Sequence, residues 1–571
     1  ENVIAGVYAG DAITTGNYNV AFGVNALTSD TTGRGTVAIG HNALYTQNLT
    51  GDTDTYTVAV GKNAGYATTT GHQNVIIGGL AGDAITTGSN NVAVGTFSLT
   101  SDDVGSYATA VGYNSLASQN FASATAGYNT GIGARAGQTI TTAIYNTLLG
   151  GQAGYLITTG SYNTAIGKNA SGAITTGSNN TAVGNAALAA NQTGVQNVAV
   201  GMNALNANTN NYNTAVGYNA SFSNIGGNLN VAVGINALYE NESGNRNVAV
   251  GYNALKESTG GSNVAIGNQA AQDTTTAANI TVVGYNALRN NTTGGTNNAF
   301  GKNALFTNTT GSANTAIGYQ SLYYNTTGTQ NVAIGENSLL QSTTGSQNTV
   351  MGAYAGDAIT TGTYNTAIGH NALTTDTAST GTVAIGSSAL SSQNISGYSY
   401  NTAVGLSAGA AISTGVQNTL VGSNSGDSIT TGNYNTGLGR GALAGLTTAN
   451  YNTAVGRSAL GVVTTGTQNT GVGTNAGDAL TTGNYNVAIG HEALTNDTLG
   501  SRSTAVGRGT LVSQNFTSAT DAYNTAVGFN AGNSTTTGTF NTLIGALSGD
   551  AETTGQRNTG LGFGSLTNQV S

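Results

Sequence analysis

Apolar and polar positions recur along this chain with a period of seventeen residues. Each repeat can be written N-T-A-V-G-x-N-A-L-x-x-x-T-T-G-x-Y, and its glycine at position five occurs in 33 copies from Gly6 to Gly562. Of the 32 intervals between these glycines, 26 are seventeen residues long. Position one is Asn in 27 copies, and position four is Val, Ile, Leu, Phe or Met in 32. Internal repeats of this kind indicate one structural unit stacked many times.

The repeat predicts an all-β fold, a parallel β-solenoid (β-roll) of about 33 coils. Seventeen residues are too few for a pair of helices, and each glycine costs about 1 kcal/mol in a helix interior. A short strand followed by glycine at a corner forms one coil instead. Stacked coils lie about 4.8 Å apart, which predicts a rod on the order of 155 Å long.

Stacking places equivalent positions of successive repeats directly over one another. We expect the aliphatic residues at position four, such as Phe22, Ile39, Val60 and Ile77, to form a continuous internal ridge. Asn at position one is expected to form a hydrogen-bonded ladder, because a buried amide needs partners for its polar atoms. The ladder residues singled out are Asn19, Asn74, Asn91, Asn163, Asn180 and Asn197.

Position eight is small, Ala or Ser in every copy except the one with Thr510. A position that tolerates only small side chains indicates a close approach by another part of the protein. That part is either the opposite wall of a thin coil or a neighbouring chain at a shared axis. The sequence leaves both interpretations open.

We predict that residues 1–571 form one continuous solenoid. Within it, a longer pattern repeats every four coils. Each super-repeat contains a coil with an acidic turn, such as Asp30, and then a longer coil whose extra residues are expected to bulge outward. The long loops lie near residues 44–57, 116–129, 390–401 and 511–524. Their amide and apolar residues suit contact with a sugar or a protein, unless the apolar side chain folds back onto its own loop. The candidate contact residues are Gln47, Asn48, Leu49, Gln119, Asn120, Phe121, Gln393, Asn394, Ile395, Gln514, Asn515 and Phe516.

Composition narrows the classes of function. The chain has 87 Gly, 13 Lys and Arg, 22 Asp and Glu, no Pro, Cys or Trp, and a net charge of −9. Without Cys there is no disulfide framework or thiolate metal site, and so few basic residues do not predict nucleic-acid binding. No apolar run is long enough to predict insertion into a membrane. Scarce charge also fits stacking, because like charges about 4.8 Å apart repel by about 0.9 kcal/mol even in water.

Catalytic, cofactor and metal chemistry is not expected, and we predict that the protein is not an enzyme. Two dinucleotide-like glycine patterns, Gly131–Gly137 and Gly471–Gly477, arise from glycines that every coil supplies, and no βαβ unit follows them. The histidines are too widely separated to share a metal ion; they are His41, His72, His370 and His491. Acidic pairs on turns keep a polysaccharide depolymerase as a weaker alternative; they are Asp52 with Asp54, Asp102 with Asp103, Glu240 with Glu242, and Asp550 with Glu552.

Threonine and tyrosine columns add two further hypotheses. Thr-Thr pairs such as Thr158-Thr159 could order water for ice binding, but a pair before Gly is typical of a turn in which one hydroxyl bonds the backbone. Tyrosines at position seventeen, such as Tyr128 and Tyr145, are expected to pack against adjacent coils. A contact strip for glycans or for lateral association of fibres is the alternative for these rings.

The repeat resembles those of known surface proteins over the whole chain. N-V-A-I-G-E-N-S-L from Asn331 is similar to head repeats of trimeric autotransporter adhesins. The N-T-T-G-x-x-N-T-A-I-G-Y-Q-S-L phrase from Asn308 resembles repeat arrays of phage tail-fibre-like proteins. The resemblance implies a left-handed parallel β-roll, three chains around a common axis, and use as an extracellular adhesive rod. Adhesin-head repeats are usually shorter and carry Ser where this chain has Asn.

From these observations we expect a structural fibre or adhesin shaft, extracellular on a virion or a bacterial surface. The expected partners are copies of the chain itself, as a homotrimer, and a cell-surface glycan or protein receptor. A self-assembling extracellular filament without a receptor is the main alternative. Because the chain starts inside a repeat and without Met, we expect a fragment of a longer protein.

Overall fold

The computed structural model describes residues 1–51 and 53–567, and within these residues it contains strands and turns but no helix. The chain divides into two compact units, residues 1–281 and residues 282–571. Each unit is a stack of coils in which one three-residue strand recurs once per sequence repeat. The predicted all-β parallel solenoid of about 33 coils with a period near seventeen residues is confirmed.

The strands of the first unit occupy positions two to four of the repeat. They are Val3–Ala5, Val20–Phe22, Val37–Ile39, Val58–Val60, Val75–Ile77, Val92–Val94, Thr109–Val111, Thr130–Ile132, Thr147–Leu149, Thr164–Ile166, Thr181–Val183, Val198–Val200, Thr214–Val216, Val231–Val233, Val248–Val250 and Val264–Ile266. The strand Thr281–Val283 contains the boundary between the units.

The second unit repeats the same arrangement. Its strands are Asn298–Phe300, Thr315–Ile317, Val332–Ile334, Thr349–Met351, Thr366–Ile368, Val383–Ile385, Thr402–Val404, Thr419–Val421, Thr436–Leu438, Thr453–Val455, Thr470–Val472, Val487–Ile489, Thr504–Val506, Thr525–Val527, Thr542–Ile544 and Thr559–Leu561. Two additional strand pairs lie beside long loops, Ala378–Thr380 with Ser396–Tyr398 and Gly500–Ser501 with Thr520–Asp521.

Within each unit, neighbouring strands pair in parallel and in register. Thr164 pairs with Thr181, seventeen residues on, and the register continues coil after coil. Where a coil is longer, the strand register is kept: Val37 pairs with Val58 across the first long loop. The additional residues therefore leave the stack as a loop, because every strand must meet the equivalent residues of the next coil.

Corners of the coil use a left-handed backbone at residues other than glycine. Position nine is one example, where Leu27 has φ of 51° and is fully buried. Left-handed conformation costs a side-chain-bearing residue about 1–2 kcal/mol. Burial of a leucine side chain contributes about 1.5–3 kcal/mol, which offsets that cost. The sequence predicted positive φ only for glycine.

The internal ridge predicted at position four is wrong. Phe22, Ile39 and Ile77 are 58%, 36% and 39% exposed, and Val60 is half-buried. Successive side chains of a strand point to opposite faces, so an inward Asn at position one places position three inward and positions two and four outward. The core is instead built from small residues at position three, such as Ala21, and from Leu at position nine.

The small residue at position eight is explained within a single chain. Ala26 and Ala43 are both fully buried inside their own coils. The close approach comes from the opposite wall of a thin coil, the first of the two interpretations. Position eight therefore contributes no argument for a neighbouring chain at an axis.

Candidate functional site

The Asn column at position one forms an internal ladder of hydrogen bonds, which is interrupted in the six coils that carry another residue there. Asn163 Nδ2 donates to the carbonyl oxygen of Gly177 in the next coil at 2.9 Å. Its Oδ1 accepts from the backbone N–H of Asn180 at 3.0 Å and from Asn180 Nδ2 at 3.1 Å. All six ladder residues singled out from the sequence are at most 1% exposed; they are Asn19, Asn74, Asn91, Asn163, Asn180 and Asn197. Each amide thus bonds backbone groups of the following coil, which ties adjacent coils together.

A second internal amide ladder occupies position twelve, which the sequence interpretation missed. Asn308 Nδ2 donates to Asn291 Oδ1 at 2.7 Å, and Asn325 Nδ2 donates to Asn308 Oδ1 at 2.6 Å. In other coils this position holds buried aliphatic residues such as Ile157. The sequence feature that could have revealed this ladder is Asn in place of Ile before Thr-Thr-Gly, in coils without other unusual residues.

The long loops do not present the solvent-facing surface predicted for them. All four glutamines are fully buried; they are Gln47, Gln119, Gln393 and Gln514. The apolar residues fold back onto their own loops and are at most 8% exposed; they are Leu49, Phe121, Ile395 and Phe516. Of the three predicted contact residues in each loop, only the asparagine is exposed; these are Asn48, Asn120, Asn394 and Asn515. The prediction of a paired amide surface at each loop is therefore wrong, because the apolar side chain draws the chain back over the coil.

Three of the buried glutamines replace an amide that their own coil lacks. The four coils carry Thr36, Ala108, Thr382 or Ser503 at position one, where the ladder has Asn. In the second of these coils, Gln119 Oε1 accepts from Nδ2 of the ladder residue of the next coil, Asn129, at 2.9 Å. In three of the four coils the glutamine at position twelve therefore reaches across the coil to continue the ladder, whereas the coil after Gln47 carries Thr57 at position one.

Three of these glutamines also bond a buried aspartate of the preceding coil. The Nε2–Oδ2 distances are 2.6 Å for Gln119–Asp102, 2.7 Å for Gln393–Asp376 and 2.6 Å for Gln514–Asp497. Asp102 Oδ1 also accepts from the backbone N–H of Gly105 at 3.0 Å. The sequence places Asp102 in an acidic pair on a turn, but the carboxylates of all three aspartates are fully buried. Burial raises the pKa of the Asp102 and Asp497 carboxyls, while the hydrogen bonds from Gln119 and Gln514 oppose the rise.

The raised pKa of Asp102 is expected to make the loop that covers it less protected from hydrogen exchange as the pH increases. The native state binds the proton more tightly than the unfolded chain, whose value is near 3.8. The contribution to stability is complete below that value and is lost as the pH rises through the raised pKa. We expect hydrogen-exchange protection of residues 102–129 to fall over this window, by about tenfold per unit of raised pKa.

Asp102→Asn should remove this pH dependence. The asparagine keeps an acceptor for Gly105, as Asn191 does for the N–H of Gly194 at 2.7 Å. Exposed Asp11→Asn is the control and should leave the pH profile unchanged. An identical pH response in the Asp102→Asn variant and the wild type would contradict the assignment.

The threonine and tyrosine columns bond and stack along the coils. Thr158 Oγ1 donates to the carbonyl oxygen of Thr175 in the next coil at 3.1 Å, so one hydroxyl of the Thr-Thr pair is engaged with the backbone. Tyr128 stacks on Tyr145 and Tyr145 on Tyr162, with ring centroids 5.3 and 5.1 Å apart. Because these rings use their faces on one another, they offer edges rather than faces to a sugar.

The remaining candidates lie in ordinary coils. A Cβ on Gly131 would lie 2.7 Å from Ser115 Oγ, so packing explains this glycine of the dinucleotide-like pattern. His41, His370 and His491 are exposed at position six. In residues 1–51 and 53–567 no three His, Asp or Glu side chains converge as a metal site would require. Asp52 lies outside the described residues, and those described include no helix with the length and apolarity to cross a membrane.

An exposed apolar feature is the outward face of the strands, formed by positions two and four, which we call the strand face. At position four, Leu149, Ile317 and Ile544 are 44%, 39% and 39% exposed. Position two is Val or Thr in nearly every coil, and it is half-buried in most coils. No family model matches this chain, and no curated protein matches its sequence. The strand face is therefore the surface on which our proposal for the function is based.

Proposed function

We propose that this chain is the structural shaft of an extracellular fibre, in which copies of the chain pack side by side through the strand face and support attachment to a host cell or surface. The internal amide ladders and the unbroken strand register of each unit suit a stiff support. The resemblance to adhesin heads and tail fibres supports the extracellular setting and the count of three chains.

The strand face carries the proposal because its position four is apolar in every coil, beside Val or Thr at position two in all coils but one. Position four is aliphatic, aromatic or Met in row after row, and it is more than one-third exposed at Ile266, Phe300 and Met351. Sixteen such rows extend about 75 Å at the usual strand spacing. A contiguous exposed apolar surface of this kind marks an interaction site.

A second copy of the same chain is the partner that fits this surface best. Its rows repeat at about 4.8 Å, and a partner has to present side chains at the same spacing over many rows. A second copy of the chain has the same spacing because its sequence and its coils are the same. Charged residues, which oppose burial of such a face, make up only 6% of the chain.

Charges placed on the strand face should break the assembly without unfolding the coils. We expect the triple variant Ile317→Lys, Ile334→Glu and Met351→Lys to have a single-chain mass of 56.4 kDa by light scattering. The wild type should have about 169 kDa, the mass of three chains. Lys and Glu alternate along the stack, so neighbouring coils of one chain carry opposite charges and do not repel each other. Across the interface each introduced residue meets the same residue of another chain, so equal charges face each other and lose their hydration.

The matched control places the same charges in the same coils on the opposite side: Thr327→Lys, Thr344→Glu and Thr361→Lys, all at exposed positions. It should keep the wild-type mass, and both variants should keep the β circular dichroism of the wild type. A wild type of single-chain mass, or a strand-face variant that retains the full mass, would contradict the proposal. A broad distribution of much larger masses would favour the filament alternative.

A further inference from the structure

The corner after each strand, at positions six and seven, contains a cleft with two arginines in the second unit. The cleft has a volume of about 410 Å³ and is lined by Asn424, Arg440, Gly441, Arg457 and Ser458. Arg440 and Arg457 are exposed and occupy position six of consecutive coils. No other two Lys or Arg residues in the sequence share a position in consecutive coils.

Small residues open the space between the two guanidinium groups. Position seven is Gly441 and Ser458 in these coils, whereas Asn is the residue found there most often. Within the described part of the chain neither guanidinium forms an ion pair, as the ion pairs there involve other residues. Asp427, at the edge of the cleft, accepts a hydrogen bond from Asn424 Nδ2 at 2.9 Å. The two arginines thus carry like charges in adjacent coils, and no carboxylate is among the residues that line the cleft.

A second basic cleft lies at the same corner in the first unit. It has a volume of about 400 Å³ and is lined by Ala134, Arg135, Gly151, Gln152 and Lys168. At position six, Ala134 and Gly151 leave the corner open, and a Cβ on Gly151 would meet nothing within 4 Å. Four of the 13 basic residues of a chain with a net charge of −9 therefore line two clefts.

We propose that these two clefts bind the oxyanion groups, sulfate or carboxylate, of an acidic polysaccharide. The guanidinium groups of Arg440 and Arg457, in adjacent coils, can together hold one oxyanion through paired charge-assisted hydrogen bonds, which also relieves their mutual repulsion. Arg135 and Lys168 lie two coils apart and offer one guanidinium and one ammonium group to the polymer.

The amide and hydroxyl groups of Asn424, Ser458 and Gln152 suit sugar hydroxyls. One exposed cleft binds weakly, so two per chain favour an extended polymer over a free anion. Both clefts form within single chains, so binding is expected whether or not the chains associate.

The test measures binding of the full chain to dextran sulfate, carboxymethyl-dextran and neutral dextran by calorimetry. Dextran sulfate or carboxymethyl-dextran should bind, and their comparison tells sulfate from carboxylate. Arg440→Gln with Arg457→Gln should weaken binding at least tenfold, and Arg135→Gln with Lys168→Gln should remove the other site. The control, Arg246→Gln with Arg557→Gln, makes the same charge change at two exposed arginines and should alter affinity less than twofold.

Three results would overturn the proposal. One is equal binding of neutral and charged dextrans. Another is an equal loss of affinity in the cleft variants and in the control, which would indicate a general charge effect. The third is duplex DNA binding as tightly as the charged dextrans, which would assign the clefts to phosphate polymers instead. Light-scattering mass, recorded for every variant, separates these outcomes from a failure of self-association.

Discussion

Gly78→Ala is expected to destabilise its coils by about 3 kcal/mol or more, whereas Gly79→Ala, one residue along, should be neutral or slightly stabilising. Gly78 is a position-five glycine with φ of +138°, and a Cβ there would lie 2.6 Å from the carbonyl carbon of Gly95. Gly79 lacks a positive φ, and a Cβ there would meet nothing within 4 Å. The same substitution in neighbouring residues thus separates backbone strain and steric overlap from any general effect of alanine.

Local hydrogen exchange is the measurement suited to this pair. Stability in a repeat stack is close to a sum of coil and interface terms, so a single melting temperature averages over many coils. Protection of residues 74–95 should fall at least a hundredfold in Gly78→Ala, as about 1.4 kcal/mol corresponds to each factor of ten. Equal protection in the two variants would contradict the stacking of glycine directly over glycine.

Asn180→Ala is the second large effect, expected at about 1–3 kcal/mol. Asn180 Nδ2 donates to the carbonyl oxygen of Gly194 at 2.9 Å, and its Oδ1 accepts from the backbone N–H of Asn197 at 2.9 Å. Removal of the amide leaves the backbone N–H of Asn197 unpaired inside the coil, while the Gly194 carbonyl oxygen keeps its bond from Asn191 Nδ2 at 3.0 Å. Each buried, unsatisfied group costs about 1–3 kcal/mol.

Asn120→Ala is the matched control for the ladder variant. Asn120 belongs to the same unit and is exposed, and its backbone N–H, which the substitution keeps, donates to Thr141 O at 2.9 Å. It should change stability by less than about 0.5 kcal/mol, as surface substitutions usually do. Protection of residues 180–197 measured by hydrogen exchange compares the two variants. A ladder variant as protected as the control would show that the amides do not hold the coils together.

The period and the strands of this fold follow from the sequence, but the direction of each side chain does not follow from the period alone. Asn at position one and an aliphatic at position four were both predicted inward, although residues three apart in a strand face opposite sides. The side chain at position four is larger than the one at position three, and it was therefore expected to lie in the core. The inner wall is too close for it, and alanine at position three fills that space, as Ala21 does.

The long loops show a second limit of sequence interpretation. Gln119 beside Asn120 reads as a polar surface, yet Gln119 is buried because its coil has Ala108 at ladder position one. The compensation joins positions eleven residues apart in sequence and becomes visible only when the coil is closed. Asp102 was likewise grouped with Asp103 as an acidic pair on a turn, because its partner Gln119 belongs to the next coil.

Cysteine pairs test the central claim, that equivalent positions of successive coils lie directly over one another, because the chain contains no Cys of its own. Thr159 and Thr176 are exposed at position fourteen of consecutive coils. Their Cα atoms should be about 4.8 Å apart, within the range of about 4.4–6.8 Å that a disulfide requires. Thr159→Cys with Thr176→Cys should form an intrachain disulfide under mild oxidation. Thr159→Cys with Thr193→Cys, two coils apart at about 9.6 Å, should not, and equal yields from the two pairs would contradict in-register stacking.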